Sequence, residues 1–448
     1  MMKPRLSGLL VIVFLLTAVF GAAQAQDTVP ITVRCIANVA GGEGWRCDNF
    51  AEVEAQVEEE LGIDIELTLV QDNKSWGDYK NEFVLATEAG EAPDIVLSGH
   101  EDIGAWAAAG FIMPLDDLIA QHEEFEDIVP ALWESQMYQG EIYGIPQDAE
   151  ARPVFYSKLL LSDLGWSDEE IESLPDRVAA GEFTFQDLID TAQQAIDEGV
   201  VEPGNGFWHR PSLGPDFLYY YYGQGGQIMT DAGEIMVDRE ALLRVYELLG
   251  GMTESGVMRS DLIGIDWSSE WHPSVASAEQ VLFAASGTWN WADWAINYVA
   301  DRGGNDYLLE NIGLTLIPAM ETGEPLTVTH PLSYLVSSGS DNPDVAMALI
   351  AAVTTPEANN RHAIDSFHLG ILQSQVDSPE YAENEVLSNA HYMLDYAKSL
   401  PNHPGWNAWS NAYWLGIQAV EAGDATPEEA VDIMVTQLQN ELPEVVVQ

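Results

Sequence analysis

Three strand-like stretches separated by two helix-like ones, all within residues 31–98, constrain this chain more than any other feature. "ITVRCIANVA" is the apolar run of a buried strand, a helical stretch through "FAEVEAQVEEELG" closes on Gly62, and "IDIELTLV" alternates as a strand does. A second helical stretch, "YKNEFVLATEAG", closes on Gly90 and leads into the apolar strand "PDIVLS". Strands alternating with helices make βαβ units around a mostly parallel sheet, so the chain reads as α/β. In open sheets of that kind ligands sit beyond the carboxyl ends of the strands. His100, Glu101 and Asp102 follow "PDIVLS" directly and are placed to face a cleft.

The later half is richer in helix. "SDNPDVAMALIAAV" starts with Asn342 as N-cap and Pro343 at the first helical position; "GDATPEEAVDIM" does the same with Thr426 and Pro427, and Thr426 with Glu429 forms a capping box. Between them, "LENIGLTLIPA" and "LTVTHPLSYLVSS" read as strands. At 448 residues the chain exceeds what one core usually serves, yet it has no internal repeat, low-complexity tract or long linker to mark a boundary.

The first 25 residues are not read as fold. A basic start, "MMKPRL", precedes the apolar run "LLVIVFLLTAVF", and Ala23-Gln24-Ala25 fits a cleavage site, which makes residues 1–25 a secretory signal. No later stretch is apolar and long enough to span a membrane, so no direct membrane insertion is expected. Secretion, to a periplasmic or extracellular location, puts Cys35 and Cys47 in an oxidising compartment. As the only two cysteines, they are expected to form one disulfide, worth about 3 kcal/mol by loop entropy. A two-thiolate metal site would lack nearby histidines, and neither metal nor other cofactor is expected.

The chain carries 73 Asp and Glu against 16 Lys and Arg. That balance excludes nucleic-acid partners, whose phosphates are gripped by clustered bases, and opposes anionic lipid headgroups. Two explanations of the acidity stay open: a cationic ligand such as a polyamine, or a solvated surface that keeps a secreted protein soluble.

Standard catalytic signatures are missing: there is no phosphate loop, no G-x-S-x-G elbow and no H-E-x-x-H. Aromatic residues instead cluster beside polar ones, in "GTWNWADW", "PNHPGWNAWSNAYW", "DFLYYYYGQGG" and "GFWHRPS". Trp294, Trp414 and most of Tyr219–Tyr222 read as core. Trp289, Trp291 and Trp406 have Gly, Thr, Asn and Pro for neighbours and read as loops at a site. Aromatic faces flanked by hydrogen-bonding side chains are what a sugar ring requires: apolar area for its C–H face, carboxylates or amides for its hydroxyls.

Several segments together resemble the extracellular solute-binding proteins of ABC transporters, in the carbohydrate group that includes maltose- and α-glucoside-binding proteins. "GEAPDIVLSGHEDIGAWAAAGFIMPLDDL" is similar to that family's segment from a Pro-Asp strand into the first cleft loop. "YGIPQDAEARPVFYSKLLL" is similar to its crossover strand, with Ser157 where Asn is usual. "FAASGTWNWADW" matches the Gly-x-Trp turn, "NPDVAMALIAAVTTPEANN" the helix pair beyond it, and "PNHPGWNAWSNAYWLGIQAVEAGDATPEEAVD" the C-terminal region. The resemblance implies a two-lobed, type II periplasmic-binding-protein-like fold. Residues 27–146 plus 331–373 would form lobe 1, and 147–330 plus 374–448 lobe 2, with sugar bound between them. It implies a monomeric, non-enzymatic carbohydrate binder that serves ABC permease subunits.

Matched residue by residue, the resemblance assigns Glu101 and Asp102 to positions that meet sugar hydroxyls; the family often has Arg at the second, which counts against a maltose-like ligand. Glu150 falls on the crossover carboxylate and Trp289 on the stacking Trp, with Trp291 close by. Trp406 and Trp409 fall near the C-terminal stacking position, which is read at Ser410. Asp148, Arg152, Trp208, Asp216 and His368 complete the expected ligand-binding set. For Arg152 a salt bridge within the acidic hinge is an equal alternative; His100 and His368 are read as supporting hydrogen-bonding residues. A secreted glycoside hydrolase would also want Trp platforms and two carboxylates, but nothing in the sequence selects such a pair.

Overall fold

The computed structural model describes residues 28–448 apart from 40, 41, 213 and 231; the signal segment lies outside them. The strand–helix alternation of the first hundred residues is realised as β1 (Thr28–Ile36), β2 (Asp64–Asp72) and β3 (Ile95–Gly99), with β1 parallel to both neighbours. All five residues of β3 are buried, whereas β2, at the sheet edge, is mostly solvated. The intervening helices, Trp45–Leu61 and Trp76–Ala89, end as expected at Gly62 and Gly90, whose φ of 68° and 74° close the last turn in the left-handed region. Phe50, Val53 and Val57 recur at helical spacing on the buried face of the first, and Tyr79 and Phe83 on that of the second. Cys35 and Cys47 form the expected disulfide, their Cα atoms 5.9 Å apart, tying the end of β1 to the first turn of the helix after it.

Two further strands, β4 (Gly144–Pro146) and β9 (Leu332–Val336), complete a five-stranded sheet ordered β2-β1-β3-β9-β4. A second sheet, ordered β8-β5-β7-β6, is built from β5 (Val154–Ser157), β6 (Phe207–Trp208), β7 (Phe283–Ala285) and β8 (Ile312–Thr315). The molecule is thus a two-lobed α/β protein with one sheet in each lobe.

Neither sheet is as parallel as the opening pattern predicts. β9 runs antiparallel to β3 and β4, and β5 antiparallel to β7 and β8. These two strands are the ones the chain enters directly from the other sheet, through residues 147–153 and 316–331. The carboxyl ends of the other strands point toward the gap between lobes. A segment arriving across that gap enters at that end and must run the opposite way. The chain returns once more after helix Pro356–Ser366, where Leu369 exchanges backbone hydrogen bonds with Ala149 (3.1 and 2.7 Å). Three crossings therefore lie side by side at the waist.

Later helices follow their local signals with one exception. Helix Pro427–Glu441 begins with the expected Thr426–Glu429 capping box. Asn342 stands at the N-cap of helix Pro343–Val353 but its side chain makes no capping bond. The second lobe holds the aromatic core: Tyr219, Tyr220, Tyr221, Trp271, Trp294 and Trp409 are almost wholly buried, and Trp414 nearly so.

Candidate ligand-binding cleft

The cleft is assembled on the three crossings. In the first, extended chain from Gln147 to Pro153 sends Asp148, Glu150 and Arg152 to one side, the two-residue period of an extended strand. Arg152 is held from several directions. Its backbone N–H donates to Thr327 Oγ1 (2.7 Å), and its guanidinium reaches Glu150 (2.6 Å), Asp216 (3.1 Å) and the carbonyl of Val328 (3.1 Å). The second crossing delivers His330, with Nε2 2.5 Å from Glu101 and Nδ1 3.8 Å from Glu150. The third delivers His368, 3.6 Å from Glu150.

Glu101 stands in the turn His100–Asp102 that follows β3, as the strand-end rule predicts. Its position depends on Gly99, since a Cβ there would collide with both the Glu101 carboxylate and the His330 ring. Lys80, from the helix Trp76–Ala89, bridges Glu101 (2.7 Å) and Asp102 (2.8 Å). Arg46, from the helix after the disulfide, reaches Asp148 (2.9 Å) and Glu43 (2.7 Å). Asp148 in turn accepts the Leu332 N–H at the entry to β9 (2.9 Å). Arg210 shares Asp216 with Arg152, at 2.6 Å.

Burial works against every charge in this chain of pairs, and the partners overcome it for most. Glu101 is desolvated, yet His330 and Lys80 hold its carboxyl well below the usual carboxylate range. The same carboxylate outweighs desolvation at His330 and raises that imidazole above its ordinary value. Glu150 is lowered against its burial chiefly by Arg152, and Asp148 against its burial chiefly by Arg46. Asp102 is the exception: burial, reinforced by neighbouring Glu101, raises it in spite of Lys80.

Two indole rings, one from each lobe, complete the wall. Trp289 is partly exposed at the Gly-x-Trp turn, its ring lying over the position where any Cβ on Gly287 would sit. The Arg152 guanidinium lies 4.9 Å from its centroid, and the His368 ring is nearly parallel to it at 5.8 Å. Trp76, 41% exposed, stands at the first turn of its helix with Lys80 5.6 Å from its ring. The enclosed space is about 440 Å³, lined by these two rings together with Lys74, Lys80, Glu101, Glu150, Arg152, Arg210, His330 and His368, among others. That size and mixture suit a polar small molecule with apolar faces.

Donor atoms of Asp148, His362 and His368 lie within 4.8 Å of one another, the spacing of a metal site. The Arg46 guanidinium already occupies that place, 2.9 Å from Asp148 and 3.3 Å from His368, so a fixed positive charge stands where a dication would bind.

Residues 51–360 match the family described as bacterial extracellular solute-binding protein. The chain belongs to that family. A galactooligosaccharide-binding protein of Bacillus subtilis is 22% identical over 352 residues, covering 77% of this chain and 76% of its own. A maltotriose-binding protein of Pyrococcus abyssi is 22% identical over 351 residues, covering 76% and 67%. Among solved structures, the GacH receptor of Streptomyces glaucescens, crystallised unliganded and with acarbose, superposes with a TM-score of 0.71 at 21% identity. The alignment covers 93% of this chain and 99% of that one. The family and these relatives are binding proteins, and the solved structure shares the two-lobed architecture.

For this solute-binding protein the sequence expectations separate into three groups. Glu101, Glu150, Arg152, Trp289 and His368 line the cleft. Asp102, Asp148 and Asp216 stand buried behind that wall, each paired with a lining cation. Arg152 makes the salt bridge that one of its alternatives expects, and it also lines the cleft.

The expectation that four further tryptophans face the cleft is corrected. Trp291 packs on Phe155 and donates its N–H to Asn305. Trp208 is buried, bonded to the Gly204 carbonyl and covered by Arg259. Trp406 stacks on Trp409 at 5.7 Å, and Trp409 donates to the Met236 carbonyl from full burial. Ser410, next in line, does not reach the cleft. The loop before them runs along the opposite lobe instead: the Asn402 amide donates to the carbonyls of Ser135 (2.6 Å) and Met137 (2.9 Å) and its oxygen faces His100 (3.0 Å). His100 thus bonds to this loop and is not among the residues that line the cleft.

Sequence reasoning missed Trp76, Arg46, Lys74, Lys80, Arg210 and His330. One signal was available for four of these six. With 16 basic residues among 448, each Lys or Arg is rare enough to ask about, and five of the 16 line this one cleft.

Proposed function

We propose that this protein captures a carbohydrate, an oligosaccharide or glycoside, between its lobes and delivers it to the membrane permease of an ABC importer. The observation that carries this reading is the partly exposed Trp289 ring within a ring of charged donors and acceptors, with Trp76 offering a second ring from the other lobe. A sugar is the small molecule that needs both, since its C–H faces bury against indole while its hydroxyls take charge-assisted bonds. The relatives named for galactooligosaccharide and maltotriose support the same class. Residues 27–146 plus 331–373 form lobe 1 and 147–330 plus 374–448 lobe 2 in this reading, with the three crossings as the hinge. The protein acts outside the cell as a monomer, exported by its N-terminal segment. Among the described residues no helix is long and apolar enough to cross a membrane.

Calorimetric titration of the protein from Gln26 onward, with galacto-, malto- and manno-oligosaccharides, tests the proposal. Saturable micromolar binding with the sugar recovered intact supports it. Flat titrations across all carbohydrates, or the release of shortened sugar, overturn it. Size-exclusion chromatography of the same sample reads the monomer.

A further inference from the structure

The wall of the cleft inverts the charge balance of the chain around it. Its lining holds five basic side chains, Arg46, Lys74, Lys80, Arg152 and Arg210, against three acidic ones, Glu43, Glu101 and Glu150. In the whole sequence the ratio runs the other way, 16 to 73. Each lining carboxylate already has a cation: Glu43 has Arg46, Glu101 has Lys80 and His330, and Glu150 has Arg152. The other acids that meet these cations, Asp72, Glu82, Asp102, Asp148 and Asp216, are not part of the lining; they orient the basic groups from outside it. Buried atoms without a hydrogen bond are of both kinds here: the Nε–H groups of Arg46 and Arg210 lack an acceptor, and Glu150 Oε2 and Asp216 Oδ1 lack a donor. Lys74 reaches the cleft with 43% of its side chain exposed. A hydroxyl both donates and accepts, whereas a carboxylate only accepts and takes two donors at once, so it matches this wall better than a neutral sugar does.

We infer that the ligand is an acidic saccharide, an oligosaccharide carrying uronic-acid carboxylates, held by Lys74 and Arg210 at the rim and by Trp289 beneath its ring. This rests on the carbohydrate reading above and narrows it. A cationic ligand such as a polyamine, which the whole-chain charge invites, would meet a lining in which basic side chains outnumber acidic ones.

The test is a calorimetric comparison of galacturonate, glucuronate and mannuronate trisaccharides with their methyl esters and with the neutral galacto-, gluco- and manno-trisaccharides. The expected result is one uronate bound at least about tenfold more tightly than both its ester and its neutral counterpart, the size of one charge-assisted hydrogen bond. That preference shrinks as salt is raised. Lys74→Gln, at an exposed position where folding is secure, and Arg210→Gln should each remove most of the preference for the uronate over its ester and its neutral counterpart. Esters or neutral sugars that bind as well as or better than every uronate overturn the inference and leave the carbohydrate reading standing. If no saccharide of any charge binds, both fall. A preference that survives both substitutions overturns the assignment of the carboxylate to those two side chains.

Discussion

The cleft wall and the aromatic core of the second lobe are both buried, and they are held together in opposite ways. The wall is a chain of ion pairs and polar contacts running from Arg46 through Asp148, His368 and Glu150 to Arg152, Asp216 and Arg210. The core is a set of rings in contact: Trp409 lies 5.1 Å from Tyr221 and 5.1 Å from Tyr413, and Trp414 lies 4.6 Å from Phe217. One region responds to pH and salt and is a weak source of stability, because desolvation offsets most of what pairing contributes. The other is indifferent to both and dominates stability. They meet where the Tyr413 hydroxyl donates to the carbonyl of Phe217 (2.9 Å), the residue after Asp216. The apolar core thereby positions a carboxylate that holds two arginines of the wall.

The contrast can be broken most severely at Trp409. Trp409→Ala deletes a fully buried ring and its bond to Met236, and should lower unfolding free energy by about 3–5 kcal/mol in urea titration, with ligand affinity of the folded fraction little changed. Loss of affinity without loss of stability would place the ring at the site after all.

Acid should act on the other region. Burial pushes His100 and His362 down to about 4, helped by His330 at the first and by Arg46 and His368 at the second. Both histidines stay neutral in the folded protein while the unfolded chain binds protons near the ordinary value of 6.5. The stability held above 6.5 is therefore lost as pH falls from 6.5 toward 4, by on the order of 3 kcal/mol for each histidine once both states are protonated. A melting profile across that window checks the sign, and His362→Gln should flatten it. An unchanged slope in that variant would assign the acid sensitivity elsewhere.

Trp289→Ala is the mirror image of the Trp409 change. It removes a partly exposed ring from the cleft and should weaken saccharide binding by about 2–3 kcal/mol in calorimetry while shifting the melting temperature little. Equal losses of stability and affinity would make that ring structural.

The smallest effect is expected at Asp102, whose carboxyl is raised by burial and by Glu101. A raised carboxylate opposes the folded state once pH exceeds its unfolded value. Asp102→Asn should therefore raise the melting temperature slightly at neutral pH and leave it unchanged in acid, a difference under about 1 kcal/mol. A drop at neutral pH would mean that the Lys80 bridge outweighs desolvation.

Much of the fold was legible because its signals are short-ranged. The glycine ends of the first two helices, the Thr426–Glu429 capping box and the strand pattern of residues 31–98 each depend on neighbours within a few positions. The cleft was legible only where a local rule coincided with it. Glu101 follows a strand end, Glu150 and Arg152 share the period of an extended crossing, and Trp289 needs Gly287 beneath its ring. Polar neighbours misled at Trp291 and Trp406, and the family resemblance at Trp409. Next to each in sequence stands a Gly, Asn or Ser, but next to each in space stand Phe155, another indole or Tyr221.

By itself the sequence determined the α/β alternation, the ends of its helices and the single disulfide that two cysteines allow. It also carried enough family pattern to foresee two lobes. Only the tertiary structure decided which strands run backwards, since direction depends on the side from which a crossing enters. It alone brought Arg46, Lys80, Arg210 and His330 to one wall, and it alone added Trp76 and withdrew Trp208, Trp291, Trp406 and Trp409. Periodicity and capping are governed by bonds a few residues long. A cleft between lobes is governed by how three distant crossings lie against one another, and that alignment leaves no local trace in the chain.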